Sequence, residues 1–119
     1  MTTDTRIQDW DEYSTGLRAR GKESGALHPE LMKGFAALNR GAATTRHLDA
    51  KTREFIALAV AVTTRCQGCI DAHARKAVGL GATKEEVAEA LGVAIALNTG
   101  AALTYSLHVL DAMDSAGER

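Results

Sequence analysis

Four residues of this 119-residue chain have the types and spacing to carry chemistry together: Glu54, Cys66, Cys69 and His73. Cys66 and Cys69 are its only cysteines, separated by Gln67 and Gly68. A disulfide stabilises more when it closes a longer loop, so a two-residue spacer makes a poor staple for a chain of this length. Two sulfurs at that spacing can instead exchange between dithiol and disulfide, the second reaching the first after it is oxidised or has formed a mixed disulfide. Cys66 falls where a helix is expected to open. The unpaired N–H groups and the positive dipole end there favour a thiolate and lower its pKa from the free value of roughly 8.5.

His73 lies four residues after Cys69 and seven after Cys66, so all three share one helical face. An imidazole there can accept a thiol proton or stabilise the thiolate as a cation. Glu54 continues the apolar stripe of Ala57, Leu58 and Ala61. A carboxylate on such a stripe is costly to bury without a partner. If the chain reverses near Arg65 and the next helix runs back antiparallel, Glu54 lies about 16 Å and His73 about 11 Å below the turn. Two side chains, or two with a water between, can span the difference. The competing reading is a surface glutamate paired with Lys51 or Arg53.

These residues need helices to position them, and the chain reads as all-α, with about six helices and no strand pattern. Few aromatics and many Ala and Gly residues suit closely packed helices rather than sheets. A first helix over about 5–20 carries Ile7, Trp10, Tyr13 and Leu17 on one stripe, and residues 22–27 form a polar connection. A second begins at His28-Pro29-Glu30, with proline suited to the first helical position, and runs to about Arg40. Asp49 caps a third, to about Thr64, that is apolar all round from Phe55 to Val62 and therefore belongs at the centre. The fourth opens at Cys66 and stops at Gly79, expected as a left-handed cap. Thr83 and Glu86 form a capping box for a fifth, about 84–98, whose buried stripe is Val87, Leu91, Ala94 and Ile95. Gly100 interrupts, a sixth helix carries Leu103, Leu107 and Leu110, and residues 111–119 fray.

Length fits one domain spanning 1–119. A formal charge of −1 gives no electrostatic reason to expect nucleic acid or an anionic membrane as partner. The start has no apolar stretch of signal-peptide length. The longest apolar run, Phe55 to Val62, falls far short of the roughly 20 residues needed to cross a bilayer. The expected location is cytoplasmic, where a close cysteine pair is catalytic or metal-binding more often than structural. No cofactor fingerprint is present.

The pattern Glu54-x11-Cys66-x2-Cys69-x3-His73 resembles the core of the alkylhydroperoxidase AhpD-like family, within the carboxymuconolactone decarboxylase superfamily. The run from Glu54 through His73 and that from Gly79 to Leu91 both look like that core, and the resemblance covers about residues 30–112. It implies an AhpD-like bundle with a central helical hairpin carrying the CxxC motif. It also implies a homo-oligomer, trimer or hexamer, and peroxidase activity, the reduction of peroxides or disulfides by the cysteine pair. Cys69 would be the thiol activated through His73 and Glu54, with Cys66 its disulfide partner. The helix-start argument favours Cys66 as first attacker and the histidine argument Cys69; we follow the proton acceptor. A hydroperoxide or disulfide is the expected substrate, and a dithiol, from a lipoyl or thioredoxin-like protein, the expected reductant. Gly68 departs from the pattern, standing where the family's peroxidase has a relay histidine.

Two other readings are open. Cys66, Cys69 and His73 can be ligands of a metal such as zinc, with Glu54 or His108 as a fourth, although there is no second CxxC. A decarboxylase or lactone-ring enzyme is the other, against which the cysteine pair argues. His28 reads as a helix-start residue, His47 as solvated, and His108 as off the last apolar stripe. Asp71 and Arg75 are expected to face solvent or a neighbouring subunit.

Overall fold

A computed structural model describes residues 4–118, and five helices make up the described chain: α1 (Trp10–Leu27), α2 (Pro29–Ala43), α3 (Ala50–Thr64), α4 (Gln67–Gly79) and α5 (Lys84–Gly117). Local chemistry sets most boundaries. Asp9 starts α1 by accepting the Glu12 N–H, so residues 5–9 lie outside the helix and Ile7 is exposed. The helix then continues through the expected connection at 22–27. It stops at His28, because the residue before a proline is pushed out of the helical region. Pro29 opens α2 as expected. Asp49 caps α3 through the Thr52 N–H at 2.7 Å, and that backbone bond holds its carboxyl below the ordinary range. The Thr83–Glu86 capping box opens α5 with both reciprocal bonds present. Lys51 reaches from α3 to Glu86 at 2.8 Å.

Two expectations about breaks are corrected. Gly79 ends α4 but is not its left-handed cap. Leu80 follows at φ −92°, and the left-handed residue is Gly81 at φ 80°. Gly100 does not interrupt the last helix: α5 runs unbroken for 34 residues, about 51 Å at 1.5 Å per residue. One glycine costs a helix only about 1 kcal/mol relative to alanine, which the apolar residues on either side tolerate. The terminal stretch expected to fray is helical to Gly117, and Arg119 lies outside the described residues.

The core is a three-helix contact in which α3 packs against α4 and the first half of α5. Its buried apolar residues are Leu58, Ala61, Ala77 and Ala94. Three are alanines, and small side chains let helix axes approach closely. The expectation that α3 is wholly central is half right. Leu58 and Ala61 are buried, while Ile56 and Val60 on the opposite side are about half exposed. Of the expected α5 stripe, Ala94 is buried, Val87 and Leu91 half-buried, and Ile95 exposed.

Beyond Gly100 every described residue of α5 is exposed, including Leu103, Leu107, Val109, Leu110 and Met113. The chain is correspondingly open. Its radius of gyration is 19.4 Å, against about 13.5 Å for a compact chain of this length. Its accessible surface is 9794 Å², against about 6,200 Å² for a monomeric protein of this mass. By length and composition α5 could also cross a membrane. However, its first turn carries Glu85 and Glu86, and its first half packs on α3.

Candidate functional site

Between α3 and α4 the chain reverses in two residues. Arg65 takes the left-handed conformation, φ 56° and ψ 46°, and the Cys66 N–H bonds back to the Ala61 carbonyl at 3.0 Å. Asn98 of α5 secures the end of α3 by donating to the Thr63 hydroxyl and the Ala94 carbonyl, both at 2.8 Å. Cys66 is then the N-cap of α4 rather than its first helical residue, and its Sγ accepts the Cys69 N–H at 3.2 Å. The helix start thus places a donor on this sulfur, as anticipated for thiolate stabilisation. Cys66 and Cys69 are joined as a disulfide, their Cα atoms 5.2 Å apart, and both are half-buried.

One turn along α4, His73 meets Glu54 of α3, with Nδ1 2.6 Å from Oε2. The contact is direct, with no water needed between them. Glu54 is 8% exposed, whereas the His73 side chain keeps 30% of its surface. An ionised carboxylate can only accept, so an Nδ1–H donates to Glu54, and in the neutral imidazole this leaves Nε2 as the acceptor. The competing pairing is absent. Lys51 is held by Glu86, while Arg53 donates to the Ala43 carbonyl and the Thr45 hydroxyl. The antiparallel hairpin thus brings Glu54 to His73 and places both on the helix pair that carries the cysteines.

The other side of α4 corrects an expectation. Asp71 is buried, 7% exposed, not solvent-facing. It accepts from Arg75 Nε at 2.9 Å, and the same guanidinium donates to Asp11 Oδ1 at 3.0 Å and to the Trp10 carbonyl at 3.3 Å. The two carboxylates, Asp71 foremost, hold the Arg75 pKa above its ordinary value. Sequence reasoning missed this clamp because Arg75 lies more than sixty residues from Trp10 and Asp11. An open cleft of about 430 Å³ between Trp10, Asp11, Ile70, Ala74 and Val78 lies beside it.

The remaining histidines stay apart from the hairpin. His28 makes no side-chain capping bond, His47 is exposed, and His108 is exposed with Nδ1 3.1 Å from the Tyr105 carbonyl. Among the described residues no group of three His, Cys, Asp or Glu side chains converges as a metal site. The metal-ligand set of Cys66, Cys69 and His73, with Glu54 or His108, is therefore not assembled in this structure.

An all-helical chain whose central hairpin holds a close cysteine pair at a helix start, with a buried carboxylate on a histidine one turn on, defines a class. Comparison with known proteins gives it a name. The carboxymuconolactone decarboxylase family matches residues 29–112, and the chain belongs to that family. The chain is 54% identical to an uncharacterized protein of Haemophilus influenzae over 104 residues, 87% of this chain and 92% of that one. It is 40% identical to an uncharacterized protein of the cox locus of Paracoccus denitrificans, covering 69% and 77% respectively. Its fold is similar to the crystal structure of an apo carboxymuconolactone decarboxylase family protein from Legionella pneumophila. The TM-score is 0.70 at 36% identity, covering 89% of this chain and 95% of that one.

Proposed function

We propose that the protein is a thiol-dependent oxidoreductase of the alkylhydroperoxidase type, cycling Cys66 and Cys69 between dithiol and disulfide with His73 and Glu54 as the activating pair. The observation that carries this reading is the 2.6 Å Glu54–His73 contact on the hairpin that bears the joined cysteines. In the forward half, the Cys69 thiol gives its proton to His73, and its sulfur attacks a hydroperoxide. An S–O bond forms, the O–O bond breaks, the departing alkoxide takes the proton from His73 and leaves as an alcohol, and Cys69 becomes a sulfenic acid. Cys66 then displaces water to form the disulfide. A disulfide substrate is reduced by exchange through the same sulfurs. An external dithiol, lipoyl or thioredoxin-like, returns the pair to its reduced state. That cycle fits a reducing, cytoplasmic compartment.

The reading includes a homo-oligomer. The surface in excess of a compact monomer is several thousand Å², more than the roughly 800 Å² per partner of a standard interface. Much of it is the apolar second half of α5, with exposed faces of α2 and α3 around Phe35, Ile56 and Val60. A trimer or hexamer would bury it. Decarboxylase or lactone-ring chemistry, which the family name suggests, has no evident use for the cysteine pair.

Thiol counting before and after one equivalent of a hydroperoxide, with metal analysis of the purified protein, tests the proposal. Loss of both thiols without stoichiometric metal is the expected result. Two thiols that ignore peroxide and hold zinc would refute it.

A further inference from the structure

Helix α1 carries no buried residue, yet it is docked across α4 beside the cysteines. At one end the Arg75 clamp holds it through Asp11 and the Trp10 carbonyl. Two turns along α1, Leu17 lies against Gly68, the residue between the two cysteines. A methyl at position 68 would stand 2.8 Å from Leu17 Cδ2 and 3.8 Å from the Tyr13 hydroxyl oxygen. The first distance is closer than carbon atoms pack, so a side chain at position 68 would force the Leu17 side chain to shift, and the bare glycine lets it sit over the backbone between the cysteines. Tyr13 itself is half-buried, its ring edge-on to Trp10 with centroids 5.8 Å apart. Clamp, ring contact and glycine gap together bring a phenol hydroxyl to the backbone between Cys66 and Cys69.

From this placement we infer that Tyr13 is a further functional residue of the redox site, a hydrogen-bond donor from α1 to the sulfur that departs when the Cys66–Cys69 disulfide is reduced. The inference rests on the dithiol cycle proposed above. A reductant thiolate forms a bond to one sulfur, the S–S bond breaks, and its electron pair goes to the other sulfur. That departing thiolate accepts a hydrogen bond from the Tyr13 hydroxyl, which adds to the N–H that Cys69 already directs at Cys66. The reductant's second thiol, after losing its proton to water, attacks the mixed disulfide. Both protein sulfurs are then reduced and the reductant is a disulfide, a two-electron exchange. Hydrogen bonds to charged groups contribute more than neutral ones, so the donor matters most when the thiolate forms.

Tyr13→Phe removes one oxygen and keeps the ring against Trp10. Reduction of the oxidised protein by dithiothreitol is expected to slow by about ten-fold. The ultraviolet titration of the reduced pair is expected to show thiolate appearing at higher pH than in the wild type, a readout that a packing role would not move. Circular dichroism is expected to be unchanged. If wild type and Tyr13→Phe are reduced equally fast and titrate alike, the inference is overturned. If the wild-type disulfide is not reduced by dithiothreitol, or its thiols do not respond to hydroperoxide, the dithiol cycle itself fails. The two failures are thus distinct.

Discussion

Replacing Glu54 by glutamine changes one buried atom and removes one negative charge from beneath His73. The carboxylate is 8% exposed and 2.6 Å from Nδ1, so its interaction is only weakly screened by water. Two unit charges about 4 Å apart interact by about 4 kcal/mol at an effective dielectric constant of about 20. Part of that is offset by the cost of holding the carboxylate away from water. Measured hydrogen bonds to charged groups contribute about 1.5–3 kcal/mol, a sensible size for the net effect. At about 1.4 kcal/mol per factor of ten, thiol activation should fall about ten- to hundred-fold. Glutamine keeps an acceptor of the same shape, so the α3–α4 hairpin should still fold. The assay is the rate of alkylation of the reduced protein near neutral pH, with circular dichroism as the control. Wild-type thiol reactivity in a folded Glu54→Gln protein would show that the pair is purely structural and refute the relay.

Three further outcomes follow from the same geometry. Cys66→Ser treated with one equivalent of hydroperoxide should hold a trappable sulfenic acid on Cys69, seen by mass spectrometry after dimedone addition; a Cys69→Ser protein that reacts as fast would make Cys66 the first attacker. Leu107→Glu, on the exposed half of α5, should lower the sedimenting mass to that of a single chain while leaving helicity unchanged, because no intrachain core contact is lost. Glu86 is held below its ordinary value near 4.5, first by Lys51 and then by the Thr83 N–H. A carboxyl depressed in the folded state contributes stability above its unfolded pKa and loses it as pH falls through the folded one. Acid melting followed by circular dichroism should therefore show stability falling below about pH 4.5, and Lys51→Ala should weaken that acid dependence.

Much of the site could be read without coordinates because its determinants are local or periodic. The i, i+3, i+7 spacing of Cys66, Cys69 and His73 needs only helical geometry, and the caps at Asp49 and Thr83 need only a side chain three residues from an orphan N–H. Glu54 could be inferred because an ionised residue on an apolar stripe requires a partner. That its partner is His73, in direct contact, depends on the left-handed turn at Arg65 and the close approach of two alanine-lined helices. The unbroken α5 was missed because a glycine's local cost is small against the helical preference of its neighbours. The docking of α1 was illegible for a different reason. Arg75 bonds Asp11, and Leu17 meets Gly68, through contacts about fifty or more residues apart. Sequence alone determined which residues have the types and spacing for redox chemistry and which helix presents the cysteines. Tertiary structure decided what surrounds them, because a long-range contact leaves no periodic trace in either of the segments it joins.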